Sequence, residues 1–335
     1  MTALKYFKLI LILVLALPLC AAEEGEENPL VADTFTKKKH VRKFAPYETV
    51  VINYLEGGEF QASVAAGAVI QKVSAASTNA SPIAYSIDSN GTKYVAGVAA
   101  KYGISDYLSA AVQLTYANGD TTTDSVVSGV ASSSGDKLSG IEELGLRGQL
   151  AIPFNSFGYL ADIEWDPSIG TAASNAQTDE SNAYREQSSL ALQNYIIFNS
   201  ADVKWGGLLS YVYRFDGQVE QTSSTGTKST RDISGGNTLE AGAFTEFEKL
   251  YNLYLQVSYA KSDSSTRVTS AGAASETPAL DFVSVLGSVK INISRSISLV
   301  PQFQYATLIN KDADPTITYS QTDIFGVNAV LRMLF

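Results

Sequence analysis

Asp162, Glu164 and Asp166 stand at alternate positions in the stretch Ala161-Asp162-Ile163-Glu164-Trp165-Asp166. On a strand every second residue points the same way, so the three carboxylates share one face. A pair of carboxylates is the machinery of glycoside hydrolysis, one acting as acid and the other as base or nucleophile. The simpler reading is that these acids face basic neighbours such as Arg147 and Lys204 and are balanced by them. Other chemistry needs residues that the chain barely has. The one His, His40, lies near the start and outside every candidate strand, and His is the side chain best suited to acid–base work near neutral pH. A multi-histidine zinc site is excluded by the same count. The one Cys, Cys20, makes neither an intrachain disulfide nor a thiolate cluster. No motif for a nucleotide, metal, haem or phosphate stands out, so no cofactor is expected. With 34 Asp and Glu against 24 Lys and Arg, the chain lacks the cationic excess of a nucleic-acid-binding surface.

The elements that would carry these residues begin with a targeting segment. Lys5 and Lys8 flank the start of an apolar run from Leu9 to Leu19, followed by Cys20-Ala21-Ala22. That order describes a secretory signal peptide, residues 1–22, cut after Ala22. Leu17-Pro18-Leu19-Cys20 also resembles a lipoprotein processing site, although Leu19 is bulkier than such a site wants. No later segment has the 18 or so apolar residues of a membrane-spanning helix. Residues 23–58 read as an N-terminal leader in the periplasm. It has an acidic start, Glu23 to Glu27, and a basic cluster, Lys37-Lys38-Lys39-His40-Val41-Arg42-Lys43. The cluster reads as a solvated arm in preference to a contact with anionic lipid or peptidoglycan. Thr49 to Leu55 has the composition of a short strand.

From residue 59 to 335 the chain alternates in segments of about 10–15 residues. Five tight connections, such as Tyr102-Gly103-Ile104-Ser105-Asp106-Tyr107 and Pro153-Phe154-Asn155-Ser156-Phe157, interleave with six linkers rich in Ser, Thr, Gly, Asp and Ala. The linkers fall at 74–91, 118–138, 167–184, 217–236, 262–278 and 311–321, and their composition reads as turn and loop. Twelve strands follow, at 59–73, 92–102, 107–117, 139–152, 158–166, 185–198, 203–216, 237–248, 251–261, 279–293, 297–310 and 322–335. An even number of strands with short turns at one end and long loops at the other is the pattern of an all-β, antiparallel transmembrane β-barrel of the Gram-negative outer membrane.

Alternation within the strands assigns the faces. Trp205, Leu209, Tyr211, Tyr213 and Phe215 oppose Lys204, Ser210 and Arg214; Leu253, Leu255, Val257 and Tyr259 oppose Asn252, Gln256 and Ser258. The sixth strand alternates poorly, because Leu190, Leu192 and Ile196 share a face with Asn194. The polar faces are mild, as expected of a lumen. The charged residues assigned inward are Glu143, Arg147, Asp162, Glu164, Lys204, Arg214, Glu240, Glu246, Lys290 and Arg332. Both signs are present, so mutual pairing is able to close a narrow lumen. Twelve strands lie between the filled eight-stranded barrels and the water-filled porins of sixteen.

The last strand resembles the C-terminal assembly signal of outer-membrane barrels. Phe325, Val327, Ala329, Leu331, Met333 and Phe335 alternate to the final residue, which is Phe. The resemblance implies recognition by the outer-membrane barrel assembly machinery, with the lipid bilayer and lipopolysaccharide as the surroundings. Three further pieces resemble the twelve-stranded outer-membrane proteins grouped under the meta-pathway of phenol degradation, which are described as transporters. Leu55-Glu56-Gly57-Gly58-Glu59-Phe60 resembles their entry to the first strand, Lys101-Tyr102-Gly103-Ile104-Ser105-Asp106-Tyr107-Leu108 their first periplasmic turn, and Leu144-Gly145-Leu146-Arg147 their fourth strand. Enzymes among outer-membrane barrels resemble one another in using a catalytic His, which the strands here lack, so no enzyme is expected. Two functions remain in view: passage of a small solute with inward charges setting selectivity, or a closed barrel that binds partners through its loops. A soluble propeller is weaker, because each repeat supplies two strands where a blade needs four.

Overall fold

The structure, a computed structural model, describes residues 42–78, 83–269, 272, 274–311 and 316–335. The expected signal peptide, Cys20, His40 and residues 37–41 of the basic cluster lie outside these described residues.

Twelve antiparallel strands form the wall: β1 (Phe60–Ser77), β2 (Tyr85–Ser105), β3 (Leu108–Val127), β4 (Val130–Pro153), β5 (Gly158–Asp166), β6 (Ser189–Ser200), β7 (Val203–Arg214), β8 (Thr238–Phe247), β9 (Leu253–Ser262), β10 (Leu280–Ser288), β11 (Ile297–Leu308) and β12 (Ile317–Leu334). Each pairs with its sequence neighbour, and β12 pairs with β1 from Gln61↔Leu334 to Ser77↔Ile317, so the sheet closes and leaves no edge. At the seam Phe60 and Phe335 exchange backbone hydrogen bonds, and their rings lie 6.0 Å apart. Closure is what makes β-structure tolerable in lipid, because every backbone donor and acceptor of the wall is paired within the protein.

The outside of the wall is apolar. Ile163, Trp165, Trp205, Leu209, Tyr211, Val257 and Val327 are all exposed, while Asp162, Lys204, Ser210 and Ser258 beside them are buried. Water would penalise such a surface; a bilayer does not. Aromatic rings gather at two levels. Phe154, Phe157, Phe198 and Trp205 stack in series at one end, with centroids 4.6, 6.0 and 4.4 Å apart. Tyr213 meets Phe215 at 5.0 Å towards the other. Trp205 and Phe215 are ten residues apart, which at about 3.3 Å per residue and a tilt near 40° is roughly 25 Å, the height of the apolar band of such barrels.

All twelve expected strands are present. Five tight connections lie at the end that carries Phe60 and Phe335, as the sequence predicts. The opposite end differs from expectation. Residues 118–138 are not a loop: β3 and β4 run through them in register to a two-residue turn at Ser128 and Gly129. Both turn residues have positive φ, 49° and 82°, as a hairpin turn matched to strand twist requires. The linkers 167–184, 217–236 and 262–278 also carry short strands, among them Gly217–Thr222 paired with Lys228–Gly235. Residues 118–138 have water on both faces, and the short strands bury only a small cluster of Ala172, Val219 and Ile233, so no hydrophobic alternation marks these stretches as strands. Their Thr and Val content supplies the β preference instead.

Candidate functional site: a leader docked in the lumen

Residues 42–58 lie inside the wall. Phe44, Tyr47, Val50, Ile52 and Tyr54 form one buried cluster with Ala151 of β4, Leu160 of β5, Ile197 of β6, Phe244 of β8, Tyr254 of β9 and Val300 of β11. Partners on so many strands place the segment across the barrel axis. Each such side chain removed from water contributes about 1.5–3 kcal/mol before ordering costs. This packing also accounts for the poor alternation of β6. Ile197 turns inward onto the leader, while outward-facing Asn194 accepts a hydrogen bond of 2.6 Å from the Tyr159 hydroxyl.

The expected short strand at Thr49–Leu55 is not formed. The leader has a single turn of 3-10 helix, Ala45–Tyr47, and is otherwise irregular. An irregular backbone buried in a barrel must find partners for its polar groups, and here the wall supplies them. Lys204 Nζ donates to the Glu48 carbonyl at 2.5 Å, and Arg332 Nη1 to the Val50 carbonyl at 2.7 Å. Lys101 Nζ donates to the carbonyl of Asn53. The Val50 N–H donates to Glu246 Oε2 at 2.5 Å. Tyr47 donates its hydroxyl proton to the Phe154 carbonyl at 2.7 Å. Charge assistance makes several of these stronger than ordinary amide bonds.

Within the leader, Arg42 pairs with Glu48 and Glu59, and Lys43 reaches Asp106 in the β2–β3 turn at 2.7 Å. These two members of the basic cluster are therefore docked, contrary to the expected solvated arm. Burial pushes the Glu48 carboxyl up, and the Arg42 guanidinium pulls against that shift.

Two of the motifs singled out in the sequence meet here. Gly58 N–H donates to the Gly103 carbonyl and Gly103 N–H to the Glu59 carbonyl, both at 2.8 Å. A Cβ on Gly103 would lie 1.8 Å from the Glu56 carbonyl oxygen, so this approach requires glycine. Gly158 plays the same part under Tyr47, whose Cγ lies 2.5 Å from where a Cβ would stand.

The ten residues assigned inward divide into groups. Arg147 bonds Asp162 at 2.8 Å and lies 3.8 Å from Glu164. Glu143 and Asp166 are bridged by Arg185, at 2.9 and 3.1 Å. The carboxylates of Glu143, Glu164 and Asp166 come within 4.8 Å of one another, with Gln113 donating to both Glu143 and Glu164. Lys204, Glu246 and Arg332 hold the leader as described. Lys290 joins them around a cavity of about 260 Å³ that opens among the turn residues Asn292 to Ile297. Arg214 bonds the Gly236 carbonyl and Thr238 near the opposite end. Glu240 lies on the inner face of β8, three steps of the alternation from Glu246, and pairs in register with Ser210. A second cavity, of about 420 Å³, lies on the other side of the leader among Lys101, Gln113, Arg147, Asp162, Gln302 and Arg332.

Sequence reasoning passed over the leader aromatics and over Lys101, Gln61 and Asn53. Lys101 had a visible signal, a lone cation ending the apolar segment Val95 to Ala100. In the last strand Phe325, Val327 and Phe335 are exposed on the outer face, and Phe325 packs on Tyr305 at 4.8 Å.

No family model matches the sequence. No curated protein matches it either. Solved structures do match the fold. The COG4313 outer membrane channel from Pseudomonas putida F1 is 14% identical, with a TM-score of 0.51, covering 84% of this chain and 97% of that one. The transport unit of the autotransporter AIDA-I from Escherichia coli is 7% identical with a TM-score of 0.48, over 91% and 94% of the two chains. The chain thus has the fold of an outer-membrane β-barrel.

Proposed function

We propose that the protein is an outer-membrane channel for a small solute, without enzymatic activity. Its lumen is narrowed by the docked leader, and its inward charges set selectivity. The observation that carries this reading is the pair of cavities, each with several charged residues in its lining, one on each side of the leader, inside a closed wall. A barrel serving only as a scaffold gains nothing from keeping such spaces. The end with the tight turns and the leader faces the periplasm in this reading. The barrel sits among lipid and lipopolysaccharide, and Phe325, Val327, Leu331, Met333 and Phe335 present the signal read by the assembly machinery. Similarity of the glycine-rich leader end and first turn to the meta-pathway phenol-degradation group belongs to the same reading. One observation favours a second function: the hairpin formed by β3 and β4 stands exposed beyond the wall over 118–138, a surface on which a partner protein has room to bind.

Recording from the refolded full chain in planar bilayers separates the two. Discrete current steps support the channel. Silent bilayers from protein that migrates as a folded barrel, unchanged after the hairpin tip is shortened, sink it in favour of the binding barrel.

A further inference from the structure

The two cavities share three lining residues: Asn53 of the leader, Gln61 of β1 and Arg332 of β12. Their side chains are the partition between the spaces. Asn53 Nδ2 donates to Gln61 Oε1 at 2.5 Å, and Arg332 donates to the Val50 carbonyl at 2.7 Å. The hydrophobic face of the leader, with Phe44, Tyr47 and Tyr54, is packed elsewhere. The partition between the two cavities is therefore polar and lies between the leader and the wall beside β1.

Charge along this route is one-sided. The larger cavity has three cations, Lys101, Arg147 and Arg332, against the single acid Asp162, which Arg147 already binds. The smaller has Arg42, Lys204, Lys290, Arg295 and Arg332 against Glu48 and Glu246. Among the described residues, no carboxylate comes within ion-pair distance of Lys101, Lys290 or Arg332; the bonds of Lys101 and Arg332 go to neutral carbonyls. This occurs in a chain whose formal net charge is −10. Cations without counterions beside a wet cavity in a low-dielectric wall form a site for an anion, since their field is weakly screened there. Register supports the geometry: Lys101 pairs with Gln61, and Arg332 with Ser63, two residues along the same face of β1.

We propose that small anions of carboxylate size cross the barrel on this side of the leader, through a constriction formed by Asn53, Gln61 and Arg332 and lined by Lys101 and Lys290. The proposal rests on the channel reading and names its solute class. Rings of basic side chains select anions in pores of other architectures by the same physics. Passage opens the Asn53–Gln61 and Arg332–Val50 bonds of this partition, while the aromatic anchors of the leader stay in place.

The test is the reversal potential of the full chain in planar bilayers under a potassium chloride gradient, repeated with potassium acetate. Expected is a preference for chloride over potassium, with current retained in acetate. Gln61→Glu places a carboxylate of the same size between Lys101 and Arg332, and shifts the reversal potential towards or past zero. Asn53→Ala raises conductance and keeps the sign. Arg332→Gln reduces the preference, and if that variant does not fold, Gln61→Glu decides alone. A potassium preference in the unaltered chain, or a reversal potential indifferent to Gln61→Glu, overturns the anion route while leaving the channel standing. Absence of current from the unaltered chain and from Asn53→Ala defeats the channel reading and this one together.

Discussion

Arg147 shows how a charged residue survives inside this wall. It lies between Asp162 and Glu164, and the Asp162 side chain is only 2% exposed. Gln149 donates a second hydrogen bond to the same carboxylate at 2.7 Å. Replacing Arg147 by Met leaves a buried carboxylate without its counterion, a change that costs about 3–5 kcal/mol where it has been observed. A fall in the urea midpoint of the refolded barrel checks this, and unchanged stability contradicts it. Gly158 makes a complementary point about space. Gly158→Ala puts a methyl group against the Tyr47 ring, so the leader is expected to undock while the wall stays closed. Limited proteolysis reads this as faster cleavage within 42–58, with the heat-modifiable barrel band retained. Equal cleavage rates would show that the leader is not seated on Gly158.

At the scale of elements, the strands were legible because the wall imposes period two wherever one face meets lipid and the other meets the lumen. The strand count, the tight turns and the closing strand with its terminal Phe335 follow from that pattern. The same rule fails where its physical cause is absent. Residues 118–138 have solvent on both faces, so composition suggested a loop where a hairpin exists. The leader misled in the opposite direction. Val50 alternates with Ile52 and Tyr54 like a strand, yet its backbone N–H and carbonyl bond to Glu246 and Arg332 of the wall, not to a neighbouring strand. Long-range partners of that kind leave no mark in local spacing. For the same reason the inward ions were legible as a set, but their division into wall pairs and leader anchors was not. The final strand carries its own prediction. Phe335 exchanges backbone bonds with Phe60 at the seam, so Phe335→Ser loses ring contact without losing the ladder. Slower or poorer assembly into outer membranes, with little change in the stability of barrels already formed, is the expected outcome of a membrane-fraction assay. A parallel loss of both would assign Phe335 to stability alone.

The whole molecule is a lipid-facing wall around a leader that is packed like a small core on one side and hydrogen-bonded to the wall beside two cavities on the other. The low charged fraction of 17% follows from that construction, because most outward positions face lipid. In the proposed channel, residues 42–58 restrict the passage through the barrel. Single-channel conductance of the unaltered chain against Phe44→Ala/Tyr47→Ala tests it most directly, since these two changes remove aromatic anchors of the leader and leave the wall intact. Small unitary steps are expected from the unaltered protein and severalfold larger ones from the double variant, still reading as a folded barrel by heat modifiability. Equal unitary conductance in the two proteins would contradict it.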